Sequence, residues 1–134
     1  MKDECTIKNK NRLIVFQENK SKLTIENKDE VEGSKIIVDG CEITEGLRCD
    51  FMYLIKDLEL FIELKGQDLE HAIDQLKTTI NKLSQNPKTK KKKSFIICTR
   101  SPLSSASIQN LQVKFRKHYN SELIIKSTPF KYKI

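Results

Sequence analysis

The sequence predicts an α/β fold: a central mixed β-sheet flanked by helices, with extra strands at the N-terminal end. Three observations carry this reading. Short apolar runs bounded by turn residues recur along the chain, one long segment has helical periodicity, and strands alternate with helices in the second half. At 134 residues the chain has the size of one ordinary domain, residues 1–134, and neither an internal repeat nor a linker divides it.

The elements follow in order. "RLIVF" (12–16) and "LTI" (23–25) read as short strands joined by the polar "QENKSK". "SKIIVDGCEI" (34–43) is a strand that meets a turn at Asp39-Gly40. "RCDFMYLI" (48–55) and "LELFIELKG" (58–66) are separated only by Lys56-Asp57, which predicts an antiparallel hairpin. In residues 69–83, Leu69, Ala72, Ile73, Leu76, Ile80 and Leu83 form one apolar helical stripe, with Asp68 as a natural N-cap. Pro87 keeps the helix from continuing, so "SQNPKTKKKK" (84–93) reads as a loop. A strand at 94–99, a second helix over 106–119, a strand at 122–127 and an edge pairing at 131–134 complete the chain.

Composition narrows the function. Apolar residues make up 37% and charged residues 32%, so the core is confined to a few segments. The formal net charge of +7 suits a polyanionic partner, nucleic acid above all, or simply a lysine-rich solvated surface. Arg12, Arg48, Arg100 and Arg116 are the only arginines, so attraction to a phosphate backbone fits better than base reading. The cysteines Cys5, Cys41, Cys49 and Cys98 lack C-x-x-C spacing and the two histidines lie far apart, which argues against zinc. Cys98 sits in an apolar strand as a buried small side chain. With no signal peptide and no long apolar segment, the expectation is a reduced, cytoplasmic protein without a membrane partner. The serines after Arg100 have no paired His or acid nearby, so a serine nucleophile has little support. His71 reads as ordinary helix surface.

The stretch "LFIELKG" raises the chemical question, because Glu63 and Lys65 stand in an apolar run that reads as a buried strand. Alternation puts Leu60, Ile62 and Leu64 on one face and Phe61, Glu63 and Lys65 on the other. With Lys56-Asp57 as a two-residue turn, Asp50 falls opposite Glu63 on the same face. Two opposed carboxylates repel unless one takes a proton or a divalent cation joins them. A nearby Lys could serve a metal-bound water or a phosphate. The rival reading is a surface hairpin making ordinary cross-strand pairs.

These residues resemble the PD-(D/E)XK nuclease superfamily, the restriction-endonuclease-like fold. Its pattern has an Asp on one hairpin strand, Glu-x-Lys on the next, and a helix after it. "CDFMY" offers Asp50, "FIELKG" offers Glu63 and Lys65, and "HAIDQL" offers Gln75 on the following helix. The resemblance implies a Mg²⁺- or Mn²⁺-dependent nuclease acting on DNA ahead of RNA. Asp50, Glu63 and the Leu64 carbonyl would hold the metal, Lys65 would serve the water, and Gln75 would support the site or touch nucleic acid. The family often adds a Glu from a helix before the hairpin. Strands stand there instead, and Asp39 is the best substitute, although Asp39-Gly40 is more simply a turn. Glu-x-Lys also occurs at Glu18-Asn19-Lys20 and Glu26-Asn27-Lys28, in polar contexts that read as solvated loops.

Lys90, Lys91, Lys92 and Lys93 are candidate nucleic-acid contacts or a solvated loop, and Arg100 is placed to reach a scissile phosphate. The alternative to a nuclease is a catalytically inactive module of the same fold that binds nucleic acid or a protein. A homodimer or a subunit of a larger complex is expected under either reading.

Overall fold

A computed structural model describes residues 1–64, 68–100 and 105–134. After a short 3₁₀ turn at Asp3–Cys5, its elements are β1 (Thr6–Asn9), β2 (Leu13–Glu18), β3 (Ser21–Glu26), β4 (Gly33–Ile37), β5 (Phe51–Ile55) and β6 (Leu58–Leu64). Then follow α1 (Leu69–Leu83), β7 (Lys92–Cys98), α2 (Ser105–Tyr119), β8 (Ser121–Ser127) and β9 (Phe130–Lys133).

Six strands form a mixed sheet in the order β1-β4-β5-β6-β7-β8. The first four are antiparallel neighbours, and β6-β7-β8 are parallel. Each parallel step crosses over through a helix, α1 and then α2, as parallel pairing requires. The two-residue hairpin turn is present as the sequence predicts, with Ile55 opposite Leu58 and Phe51 opposite Ile62. Lys56, its first turn residue, takes the left-handed conformation at φ 54°.

The helices and the extra N-terminal strands form the outer layers. Alternation divides the sheet cleanly between two cores. Met52, Phe61, Ile96, Cys98, Leu123 and Ile125 pack against both helices, through Leu69, Ala72, Ile73, Leu76, Ile80 and Phe115. Tyr53, Leu60, Ile62, Leu64, Phe95 and Ile97 face the other way. That face is covered by a second, three-stranded sheet, β2-β3-β9, through Ile14, Phe16, Leu23 and Ile25. Both helices lie on one face, and the small sheet takes the other. The C-terminal β9 pairs in parallel with β3 of the small sheet, Leu23 to Phe130 through Glu26 to Lys133. Gly33 fits this packing closely: a Cβ there would come within 2.4 Å of the Tyr53 hydroxyl.

Two expectations are corrected. The strand foreseen over 34–43 ends at Ile37, because the chain turns through Val38–Glu42, with the Cys41 and Ile43 N–H groups donating to the Val38 carbonyl. The cysteines are not all reduced: Cys5 and Cys41 form a disulfide, which ties the N-terminal turn to this loop. Cys49 and Cys98 are free and buried. Among the described residues no helix is long and apolar enough to cross a membrane.

Candidate functional site

Asp50 stands one step before β5, and its backbone is pinned from two sides. Its N–H donates to the Ile62 carbonyl (3.1 Å), and its carbonyl accepts from the Val38 and Asp39 N–H groups (3.1 and 3.2 Å). Its Oδ2 accepts from the Leu64 N–H at 2.7 Å, so β6 aims the carboxylate. Glu63 lies against the Asp50 carboxyl and is 6% exposed. Its Oε1 is buried without a hydrogen-bond partner. An orphaned carboxylate oxygen in a folded interior is costly unless something else satisfies it.

Helix α1 holds the segment that leads into Asp50. The Cys49 N–H donates to the Thr79 hydroxyl (2.8 Å), which in turn donates to the Gln75 carbonyl (2.9 Å). The Gln75 side-chain amide donates to the Arg48 carbonyl at 3.0 Å. Asp68 caps α1 through the His71 N–H, as its position in the sequence suggests.

The acid that the sequence reading passed over is Glu18. It ends β2, where Asn19-Lys20 makes a two-residue turn, with Asn19 at φ 50°. Alternation along β2 puts Glu18 on the inward face with Ile14 and Phe16. Phe16 packs edge-on against Phe51 and Tyr53 (5.5 and 5.7 Å between centroids), so Glu18, two residues on, reaches the end of β5 at Asp50. Carboxylate oxygens of Glu18, Asp39 and Asp50 lie within 4.8 Å of one another. The tripeptide Glu18-Asn19-Lys20 was therefore no featureless loop. The signal was the period-two pattern running into it.

Asp39 sits in the turn after β4 and is paired with the Arg48 guanidinium at 2.8 Å. The turn and the acid cluster are the same place, so the two readings of Asp39 do not exclude each other. Glu18, Asp39, Asp50, Glu63, Leu64, Asp68, His71 and Gln75 all line one cleft of about 890 Å³, together with Asn19, Lys20 and Thr99. Burial pushes the Asp50 carboxyl up to about 7, with the Glu18 carboxyl adding to it and the Leu64 N–H opposing. Burial first, then the charge of Asp50, pushes Glu63 up to about 9. The neighbouring Cys49 thiol is pushed up to about 12, chiefly by burial, and is chemically inert.

These residues fit a hard divalent cation. The donors are all oxygens, as Mg²⁺, Mn²⁺ and Ca²⁺ prefer. Opposite ligands are roughly 4.2 Å apart across Mg²⁺ and roughly 5 Å across Ca²⁺. With one carboxylate oxygen from each of Glu18, Asp39 and Asp50 lying within 4.8 Å of the others, the three are near enough to share one such ion after side-chain adjustment.

The remaining expected residues are placed differently. Lys65 lies outside the described residues. Lys92 is 2% exposed, and its ammonium donates to the carbonyls of Asn86, Lys90 and Tyr119 (2.9, 2.6 and 2.9 Å). All three of its N–H groups are used, so Lys92 is an internal strut rather than a phosphate contact. Lys93 is bound to Glu122 at 2.6 Å and lies over the Tyr132 ring. Lys91 is exposed and Lys90 half-buried, but both sit before β7, where Lys92 pairs with Glu59. Glu63 pairs with Ile96 on the same ladder, about 13 Å further along at ~3.3 Å per residue. The lysine-rich loop is therefore at the far end of the sheet from the acids. Arg100 is exposed and follows Thr99 at the cleft.

No family model, no curated protein and no solved structure matches the chain.

Proposed function

We propose that the chain is a metal-dependent nuclease with a restriction-endonuclease-like arrangement, hydrolysing phosphodiester bonds in DNA ahead of RNA. One observation carries the reading: the buried, unpartnered Glu63 Oε1 beside Asp50, in a cleft that also gathers Glu18 and Asp39. A cation satisfies an orphaned carboxylate oxygen and removes the repulsion among four acids.

Asp50 and Glu63 would hold Mg²⁺ or Mn²⁺, joined by Glu18 and Asp39. The ion supplies charge neutralisation at a phosphoryl oxygen and a more acidic water. The Leu64 N–H fixes the Asp50 carboxylate, and Gln75 and Thr79 anchor the backbone that carries it. The Leu64 carbonyl remains a further candidate ligand. Lys65, two residues after Glu63 in the chain, is assigned to the proton of the attacking water or to the phosphate.

The test is cleavage of plasmid and oligonucleotide DNA with Mg²⁺ or Mn²⁺. Glu63→Gln and Lys65→Ala are each expected to lower the rate by about 100-fold or more, with the thermal transition retained. Glu18→Gln is expected to weaken metal binding measured by calorimetry. A protein that binds DNA yet cuts neither DNA nor RNA with any divalent ion is an inactive binding module instead.

A further inference from the structure

We infer that the nucleic-acid backbone is received by a basic rim made of Lys20, Arg100 and Lys126, at the cleft end of the molecule, and not by the lysine-rich loop. The inference rests on the nuclease reading for its substrate and adds the surface that takes it.

The rim comes from three chain segments fastened together. The Thr128 hydroxyl accepts from the Lys22 N–H (2.9 Å) and donates to the Lys20 carbonyl (3.4 Å). The Thr128 N–H donates to the Cys98 carbonyl (2.8 Å), and the Ser127 hydroxyl donates to the Arg100 carbonyl (3.3 Å). The β2–β3 turn, the end of β7 and the end of β8 are thereby one platform. It borders the cleft, since Lys20 and Thr99 both line it. Lys20, Arg100 and Lys126 are exposed, and among the described residues no ion pair engages them. Lys126, one strand further out on β8, rests near the Phe130 ring at 5.9 Å and lines an adjoining hollow with Ile124 and Tyr132.

Charge explains why such a rim is needed. The cleft holds Glu18, Asp39, Asp50, Glu63 and Asp68, which repel a phosphate until a cation is present. Cations on the border draw the backbone to that edge and leave one phosphate facing the acids. The lysine-rich loop cannot do this: Lys92 and Lys93 are committed to internal bonds, and Lys88 and Lys91 lie at the opposite end of the strands.

The experiment compares two sets of variants by fluorescence anisotropy on a 20-bp duplex with Ca²⁺, over a series of salt concentrations. Lys20→Gln/Arg100→Gln/Lys126→Gln is expected to weaken binding at least tenfold and to flatten the salt dependence by about two to three counterions. Lys88→Gln/Lys91→Gln is expected to stay within twofold of the parent. All five positions are exposed, and a thermal melt of each variant confirms the fold. The reverse pattern, or equal small effects from both sets, overturns the rim. If the parent protein cuts DNA and the rim variant binds and cuts like it, the rim fails while the nuclease reading stands. If the rim variant loses binding but the parent cuts with no metal, the nuclease reading fails and the rim stands.

Discussion

At the scale of single residues, the site stores its charge as held protons. The folded Asp50 and Glu63 carboxyls are raised to about 7 and about 9, from ordinary values of 3.8 and 4.5, mainly by burial. An acid raised on folding contributes stability fully below its unfolded pKa and loses it as pH rises through the folded value. The metal-free protein is therefore expected to melt at a lower temperature at pH 8.5 than at pH 5, with the fall spread between about pH 4 and pH 9. Glu63→Gln should flatten the fall, and Mg²⁺ should raise the melting temperature more at pH 8.5 than at pH 5. Scanning calorimetry at the two pH values measures both, and a flat profile for the parent protein would sink the idea. At this scale, the sequence made Asp50 and Glu63 legible because strand pairing is local arithmetic. It concealed Glu18, since "QENKSK" looks polar throughout until the inward alternation of Ile14 and Phe16 is carried one step further. Lys92 was concealed for the opposite reason: nothing in a run of lysines shows which one folds inward.

Among elements, α1 does more than cover the sheet. Its apolar stripe was evident in the sequence, and the helix spans the expected residues, Leu69–Leu83. What the stripe could not reveal is that Thr79 and Gln75, beside it, hold the backbone at Arg48 and Cys49. Thr79 is fully buried, and its hydroxyl is the acceptor for the Cys49 N–H. Thr79→Val keeps the shape and removes that acceptor, leaving a buried N–H unsatisfied at a cost of about 1–3 kcal/mol. The expected result is that loss in urea denaturation together with weaker Mn²⁺ binding, because Asp50 adjoins the released residue. Thr79→Ser keeps the hydroxyl and should restore most of the metal affinity. A Thr79→Val protein that loses stability but binds Mn²⁺ like its parent would show that the clamp serves folding alone. The strands at either end of the chain were the harder elements. β1 is short and its Ile7 is exposed, and β9 is stabilised by a parallel partner more than a hundred residues earlier in sequence, which no local pattern encodes.

Across the whole molecule, the acids meet because two sheets are stacked. Glu63 belongs to the six-stranded sheet and Asp50 leads into it, whereas Glu18 arrives from the small one. The sequence suggested extra N-terminal strands but not that they would form a separate layer, because layer choice depends on which faces are left uncovered after the helices dock. Phe16 is the residue that joins the layers nearest the site: fully buried, it sits edge-on to Phe51 and Tyr53. Phe16→Ala should cost about 3–5 kcal/mol, the usual range for emptying an aromatic from a core. It should also weaken divalent-metal binding, because Glu18 follows two residues later on the same face. Phe115→Ala provides the comparison: it empties an equally buried aromatic on the helix side of the large sheet. It is expected to destabilise by a similar amount and to leave metal affinity close to the parent value. Chemical denaturation and calorimetric titration with Mn²⁺ on both variants separate the two effects. Equal losses of metal affinity would mean that the site follows global stability, and the small sheet would then have no particular part in building it.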